Sequence, residues 1–304
     1  MAATNPCGTT VKIADAYGMG KFGLSFEIYP PKTDAGEAQL FTALEALMEF
    51  RPSFVSCTYG AGGSTRDKTL ELVVKIRKAF GVTTAAHRTC VESTEEEIRQ
   101  WLKGATDLGI ENIIALRGDP PKGETAFKKP EGGLEHGNEL VSLIRREFPH
   151  FSIAVAGYPE THQEAPSPKV DLANLKRKVE AGGDAVITQL FYDNRDFFEF
   201  RVRYREAGIA VPLIPGILPV INVAQIQRIA SLCGARLPPS FLADLEQHRN
   251  DPDGQLKVGV DYAIRQCQEL LDSGIPGLHF YVLNRAEAPR RILQALNLHG
   301  DPSK

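Results

Sequence analysis

Residues 54–116, FVSCTYGAGGSTRDKTLELVVKIRKAFGVTTAAHRTCVESTEEEIRQWLKGATDLGIENIIAL, carry the rhythm that runs through the whole chain. Three short apolar runs, at 54–57, 83–87 and 112–116, have strand length and are too short for helices. Between them lie two helix-length runs, one from Lys68 and one from Glu95, and the spacing of Ser93 and Glu96 predicts a capping box at the start of the second. Strands separated by helices of this length are parallel neighbours joined by crossovers.

The same unit recurs on both sides. Upstream, a strand at 22–28 precedes a helix whose Leu40, Leu44 and Leu47 share one face. Downstream, 112–116 leads to a helix from Gly137, and 152–156 to one from Asp171 with Leu172, Leu175 and Val179 on one face. Three more pairs follow: 185–190 with a helix from Arg195, 213–217 with a helix from Asn222, and 278–282 with a helix from Ala286. An insertion at 237–254 and an extra helix from Lys257, with Val260, Ile264, Cys267 and Leu271 aligned, come before the last strand. Eight β-α units without a linker or a shift in composition predict an α/β protein, a closed (β/α)8 barrel with an extra helical insertion before the last strand. The domain expectation is one catalytic barrel over 1–304, the barrel itself at about 20–298 and an N-terminal extension at 1–19. An open doubly wound sheet is the alternative.

Composition limits the partners. Among 304 residues, 35 Lys and Arg face 38 Asp and Glu, a net charge of −3 that gives no excess of positive charge for nucleic acid or an anionic membrane. The longest uncharged stretch, 207–227, contains Pro212, Pro215, Pro219, Asn222 and Gln225, and reads as strand, turn and helix instead of a span. Cys7, Cys57, Cys90, Cys233 and Cys267 lie far apart without zinc-ligand spacing, so no metal site is expected. The N-terminus shows no signal-peptide pattern, which makes a cytoplasmic location the expectation.

In a barrel of this kind, chemistry gathers where strands end. The polar residues there are Glu27, Thr58 with Tyr59, His87, Arg117 with Asp119, Tyr158 with His162, Thr188 with Gln189, and Asn284 with Arg285. Glu27 sits between Phe26 and Ile28; burial would raise its pKa toward that of a general acid, although pairing with Arg117 would make it structural. His87 fits a satisfied core histidine as well as a functional one. The glycine-dense run at 59–65 suits close approach to a phosphate or ring, or a plain turn. Asp171, Asn174 and Lys178 share one helix edge and could grip a ribose or diphosphate, although Asp171 could equally be an N-cap.

Read together, SFEIYPPKT at 25–33, TYGAGG at 58–63, ALRGDPP at 115–121, YPETH at 158–162, NLKRK at 174–178, ITQLF at 187–191, PGILP at 215–219 and FYVLNRAE at 280–287 closely resemble the methylenetetrahydrofolate reductases, in collinear order from about residue 23 to 296. The resemblance implies a flavin-containing barrel that reduces 5,10-methylenetetrahydrofolate to 5-methyltetrahydrofolate with NADH or NADPH, by ping-pong transfer through FAD, and so feeds methyl groups to methionine synthesis. It places Glu27 on the catalytic acid and Asp119 on the carboxylate between flavin and folate. Thr58 falls on a nicotinamide contact, and Gln189, Gln225 and Arg285 on substrate contacts. The cofactor set becomes Tyr59, Ala61, His87, Arg117, Gly118, Asp119, Tyr158, His162, Ala165, Asp171, Asn174, Arg177 and Lys178. Arg88 stands where the family pattern has an aliphatic residue, and 122–137 departs from that pattern. The short chain predicts no regulatory domain and no adenosylmethionine feedback. Expected partners are the folate and nicotinamide substrates, with neither nucleic acid nor membrane, and a homo-oligomer is compatible with the sequence. A folate-linked methyltransferase, an aldolase, and a catalytically silent partner subunit are the rival readings.

Overall fold

In the computed structural model, which describes residues 11–18, 20–59, 66–120, 123 and 127–300 (of 66 and 67 the backbone only), strand and helix alternate as the spacing predicts. The first half comprises α1 (Ile13–Ala16), β1 (Gly23–Ile28), α2 (Asp34–Met48), β2 (Phe54–Cys57), α3 (Arg66–Phe80), β3 (Thr84–Thr89), α4 (Glu95–Asp107), β4 (Asn112–Leu116) and α5 (Gly137–Glu147). The second comprises β5 (Ser152–Gly157), α6 (Pro168–Glu180), β6 (Ala185–Thr188), α7 (Asn194–Glu206), β7 (Leu213–Ile214), β8 (Gly216–Ile217), α8 (Val223–Cys233), α9 (Pro239–Gln247), α10 (Pro252–Asp272), β9 (Gly277–Tyr281) and α11 (Glu287–Ala295).

The hydrogen-bonded order is β7-β6-β5-β4-β3-β2-β1-β9-β8, parallel throughout. β7 and β8 are two halves of one extended segment broken at Pro215, which has no N–H to donate. The first half pairs with β6 and the second with β9, so the eight-unit barrel closes through that break. The extra helices before the last strand are α9 and α10.

Side chains on a strand alternate between its faces, and the two faces here have different neighbours. Leu24, Phe26 and Ile28 of β1 point outward and pack in the main core with Leu40, Leu44 and Leu47 of α2. The inner set at the amino-terminal end is Phe54, Ala85, Ile114, Ala154, Ala185 and Ile214, closed from below by Ile13, Ala16 and Tyr17. Val11 and Ile13 are tied to this end by hydrogen bonds to Thr83 Oγ1 and Asn112 Oδ1, both at 3.0 Å. A filled lower half leaves space only near the carboxyl ends of the strands.

Local details differ from the sequence reading in three places. The capping box on α4 uses Thr94 and Glu97, one residue later than Ser93 and Glu96, because Ser93 is buried and donates to the Val91 carbonyl. α6 begins three residues before Asp171, with Ser167 as its cap and Pro168 in its first turn, so Asp171 is free to accept from another segment. α10 likewise starts at Pro252, capped by Asp251, five residues ahead of Lys257. Arg88 is fully buried, with its guanidinium 5.4 Å from the Trp101 ring centroid, and so its aliphatic stem and flat head replace the bulk of an aliphatic side chain.

Candidate active site

Two confluent cavities open at the carboxyl ends of the strands. The inner one, of about 330 Å³, has apolar walls from Ile114, Leu116, Val155, Ile187, Leu218 and Ile229. Its polar lining is Glu27, Thr58, His87, Arg117, Asp119, Tyr158, His162, Gln189 and Tyr281, with Gly118 between Arg117 and Asp119. Apolar walls with polar groups at defined places suit a ring system that carries its own hydrogen-bonding edge.

Glu27 is the inward residue of β1 next above Ser25 and faces His87 from β3 and His279 from β9. Its Oε2 lies 3.3 Å from His87 Nε2 and 3.4 Å from His279 Nε2. Burial alone pushes the carboxyl up, but the two imidazoles pull harder in the other direction and hold it at about 2. This corrects the expectation of a raised pKa: desolvation does not win, because the His87 and His279 imidazoles both lie against the carboxylate. The structural alternative, a pair with Arg117, is not formed. Arg117 instead forms a two-pronged pair with Glu164, at 2.5 and 2.7 Å. His87 is buried, and neither of its ring nitrogens makes a hydrogen bond among the described residues, Nε2 meeting Glu27 only as a close contact and Nδ1 meeting no polar partner.

The second cavity, of about 250 Å³, shares Leu116, Arg117, Ala156, Tyr158 and His162 with the first. It is lined further by His136, Gly137, Asn138, Glu164, Ala165, Pro166, Asp171, Asn174, Arg177 and Lys178. His136, Gly137 and Asn138 form the amino-terminal end of α5, where N–H groups lack helical partners and favour an anion. Asp171, buried by the early start of α6, accepts the His162 N–H at 3.2 Å. Lys178 donates to the Ala156 carbonyl at 2.5 Å, and burial pulls its ammonium down to about 8 although Asp171 opposes this. Arg177 hydrogen-bonds Asn174 Oδ1. Gly118 has φ of +89°, and a Cβ there would meet Thr89 and Val91 at 2.9 Å, so glycine lets the backbone between Arg117 and Asp119 run close to β3.

The expected residues therefore divide. Glu27, Thr58, His87, Arg117, Gly118, Asp119, Tyr158, His162 and Gln189 line the inner cavity, and Ala165, Asp171, Asn174, Arg177 and Lys178 the outer. Tyr59 lines neither; its hydroxyl is bound to Thr89 through Oγ1 at 2.8 Å and N at 2.6 Å. Gln225 and Arg285 are exposed and lie outside both cavities. Ala61 and the rest of the 60–65 loop lie outside the described residues. The sequence reading did not name His279, Tyr281, Glu164, His136 or Asn138 as site residues. A histidine inside the apolar run GLHFY, in phase with the inward Tyr281, is the signal that could have found the first.

A closed parallel barrel whose strand ends carry a largely buried acid, a mixed apolar and polar cavity and an adjoining cationic, helix-capped cavity has the architecture of a barrel enzyme. Residues 12–297 match the family model described as "Methylenetetrahydrofolate reductase", and the chain belongs to that family. It is 39% identical over 279 residues to the Escherichia coli 5,10-methylenetetrahydrofolate reductase, covering 92% of each chain. It is 38% identical over 297 residues to methylenetetrahydrofolate reductase (NADH) 1 of Arabidopsis thaliana, covering 94% of this chain and 50% of that one. The chain thus spans about half the length of the plant relatives it matches and nearly the whole of the bacterial ones. Among solved structures, an uncharacterized Clostridium thermocellum protein that binds two copies of 5-methyl-5,6,7,8-tetrahydrofolic acid shares the fold, with a TM-score of 0.65 at 15% identity, over 91% of this chain and 94% of that one. No described helix is long and apolar enough to cross a membrane.

Proposed function

We propose that this chain reduces 5,10-methylenetetrahydrofolate to 5-methyltetrahydrofolate, with NADH or NADPH as reductant and FAD as the resident cofactor. The observation that carries the reading is Glu27, a largely buried carboxylate in an inner cavity that runs directly into a cationic one.

The residues fit FAD. The unpartnered His87 Nδ1 and the apolar walls suit a flavin ring, and the start of α5 with Arg177, Lys178 and Arg117 suits a diphosphate. Asn174 and Asp171 offer ribose contacts. FAD would take hydride from the nicotinamide and pass it to the one-carbon unit of the folate, so that both substrates use one face in turn, with ping-pong kinetics.

The chain's own residues supply the proton chemistry and the orientation. The folate ring must open to an iminium ion before hydride can reach it, and opening requires a proton on the leaving nitrogen. About 18% of the Glu27 side chain is exposed to the cavity. A bound folate excludes that water and disfavours the anion, so the carboxyl takes up a proton where the leaving nitrogen needs one. Asp119 at the cavity mouth places a negative charge where the iminium cation develops. Gln189 and Thr58 orient the stacked substrates, and Gln225 and Arg285 on the exposed rim contact the part of the folate that projects from the cavity.

The purified chain should be yellow, release FAD on denaturation, and form 5-methyltetrahydrofolate anaerobically from methylenetetrahydrofolate and a reduced nicotinamide. A protein that neither carries nor takes up FAD would overturn the flavin reading, and absence of the methyl product from the FAD-loaded chain would overturn the folate one.

A further inference from the structure

Beneath Glu27, on the side away from the cavity, the barrel interior holds a polar column. The next inward residue of β1 is Ser25, its register partner on β9 is His279, and both are completely buried. Tyr17, just after α1, rises between the starts of the two strands. A Cβ at Gly23 would meet its ring at 2.3 Å and one at Gly277 at 2.6 Å, so the two glycines make its slot. The Tyr17 hydroxyl lies 2.6 Å from Ser25 Oγ, Ser25 Oγ lies 2.6 Å from His279 Nδ1, and His279 Nε2 lies 3.4 Å from Glu27 Oε2.

The polarity of this column follows from counting donors. Either oxygen of the Tyr17–Ser25 pair could donate, but an ionised Glu27 accepts from Nε2–H of His279, which makes Nδ1 an acceptor from Ser25 and leaves Tyr17 as the donor to Ser25 Oγ. Every donor then points up the column, and the His279 proton faces Glu27. A serine beside a histidine also resembles a nucleophile with its base, but Ser25 reaches neither cavity.

We propose that Tyr17, Ser25 and His279 form a positioning chain that fixes His279 as its Nε2–H tautomer and thereby sets the orientation and proton affinity of Glu27 from the closed end of the barrel. The inference rests on the reading of Glu27 as the proton donor to the folate. With Glu27 ionised, Nε2–H donates to the carboxylate; with Glu27 protonated, it donates to the carboxyl oxygen without the proton. The same tautomer serves both states, and His279 need not reorganise as the proton leaves. The other groups facing Glu27 are His87 on β3, its register partner Ser56 on β2 and Tyr281 on β9, with Arg117 and Asp119 at the cavity mouth; Cys57, on the outward face of β2, feels its charge through the sheet. Burial, and then the Glu27 charge, push both Cys57 and Tyr281 upward and keep them neutral. His279 is held in plane by Phe54, stacked at 6.3 Å, and by the edge of Tyr281 at 5.1 Å.

The test uses the full chain with Tyr17→Phe, Ser25→Ala and His279→Leu, the last of which leaves no N–H donor beneath Glu27. In nitrogen-15 spectra of the histidine-labelled protein at neutral pH, which require no turnover, His279 should show an acceptor-type Nδ1. Ser25→Ala should add a second tautomer, and Tyr17→Phe, the mildest change, should weaken the Nδ1 hydrogen-bond signature. In anaerobic half-reactions, removing the Nε2–H donor should move the pH limb of the folate step upward by about one pH unit, about tenfold in proton affinity. Flavin reduction by nicotinamide should keep its rate. A His279 protonated on Nδ1 in the parent chain, or tautomer and pH limb both unmoved in folded Tyr17→Phe and Ser25→Ala, would overturn the chain. Full folate turnover in Glu27→Gln would instead overturn the reading of Glu27 itself.

Discussion

Arg117 shows how a single residue can be committed to two partners. Its guanidinium is clamped by Glu164 at the boundary between the cavities, where a cofactor diphosphate would seek the same donors. A bound anion must compete with a carboxylate already seated. Glu164→Gln should therefore strengthen FAD retention several-fold, and more at low ionic strength, because the amide removes the competing charge. Dissociation constants measured by flavin fluorescence over a salt series check this; weaker retention would make Glu164 a brace for Arg117 instead. Arg117 was legible in the sequence because RGD ends a strand. Glu164 was not, since it lies in an irregular segment and meets Arg117 through a tertiary contact between residues 47 apart. The same limit applies to Glu27. Its position was readable from one strand, but its low pKa depends on histidines from two others, which no local pattern brings together.

At the scale of elements, α6 carries the cationic end of the site. Burial draws the Lys178 ammonium from 10.5 down to about 8. The folded chain thus holds that proton less tightly than the unfolded chain, so the FAD-free protein should gain stability as pH rises from about 8 to 10.5 and lack the gain below 8. A diphosphate prefers the ammonium form and reverses the sign: FAD should be retained below pH 8, released progressively above it, and bound with proton uptake near pH 8. Calorimetry in buffers of different ionisation enthalpy measures that uptake, and Lys178→Met should abolish it; uptake unchanged in that variant would remove Lys178 from the anion site. The helix itself was readable from its periodicity. Its start was read three residues late because Asp171 imitates a cap, whereas Ser167 followed by Pro168 supplies the true one. The start of α5, by contrast, was placed correctly, yet its proposed anion-binding role emerges only when the helix end is seen lining one cavity with Arg177 and Lys178.

For the whole molecule, the order of strands and helices followed from eight repeated units, because each apolar run is bounded by turn residues and the helices are amphipathic. The break at Pro215 and the closure from below by α1 and Tyr17 were hidden, since both are properties of the closed ring and not of any segment. That closure gives the barrel two ends of different character: a packed floor, and an open rim where the inner and the cationic cavities meet above Glu27. On the proposed mechanism Glu27 supplies the proton needed in the folate step and in no other. Anaerobic rapid mixing of FAD-loaded Glu27→Gln separates the steps. Reduction of the flavin by NADH or NADPH should proceed at the parent rate, while reoxidation by methylenetetrahydrofolate should slow by about 100- to 10,000-fold, the usual contribution of a general acid. Reoxidation at the parent rate, or equal loss in both steps, would contradict the account.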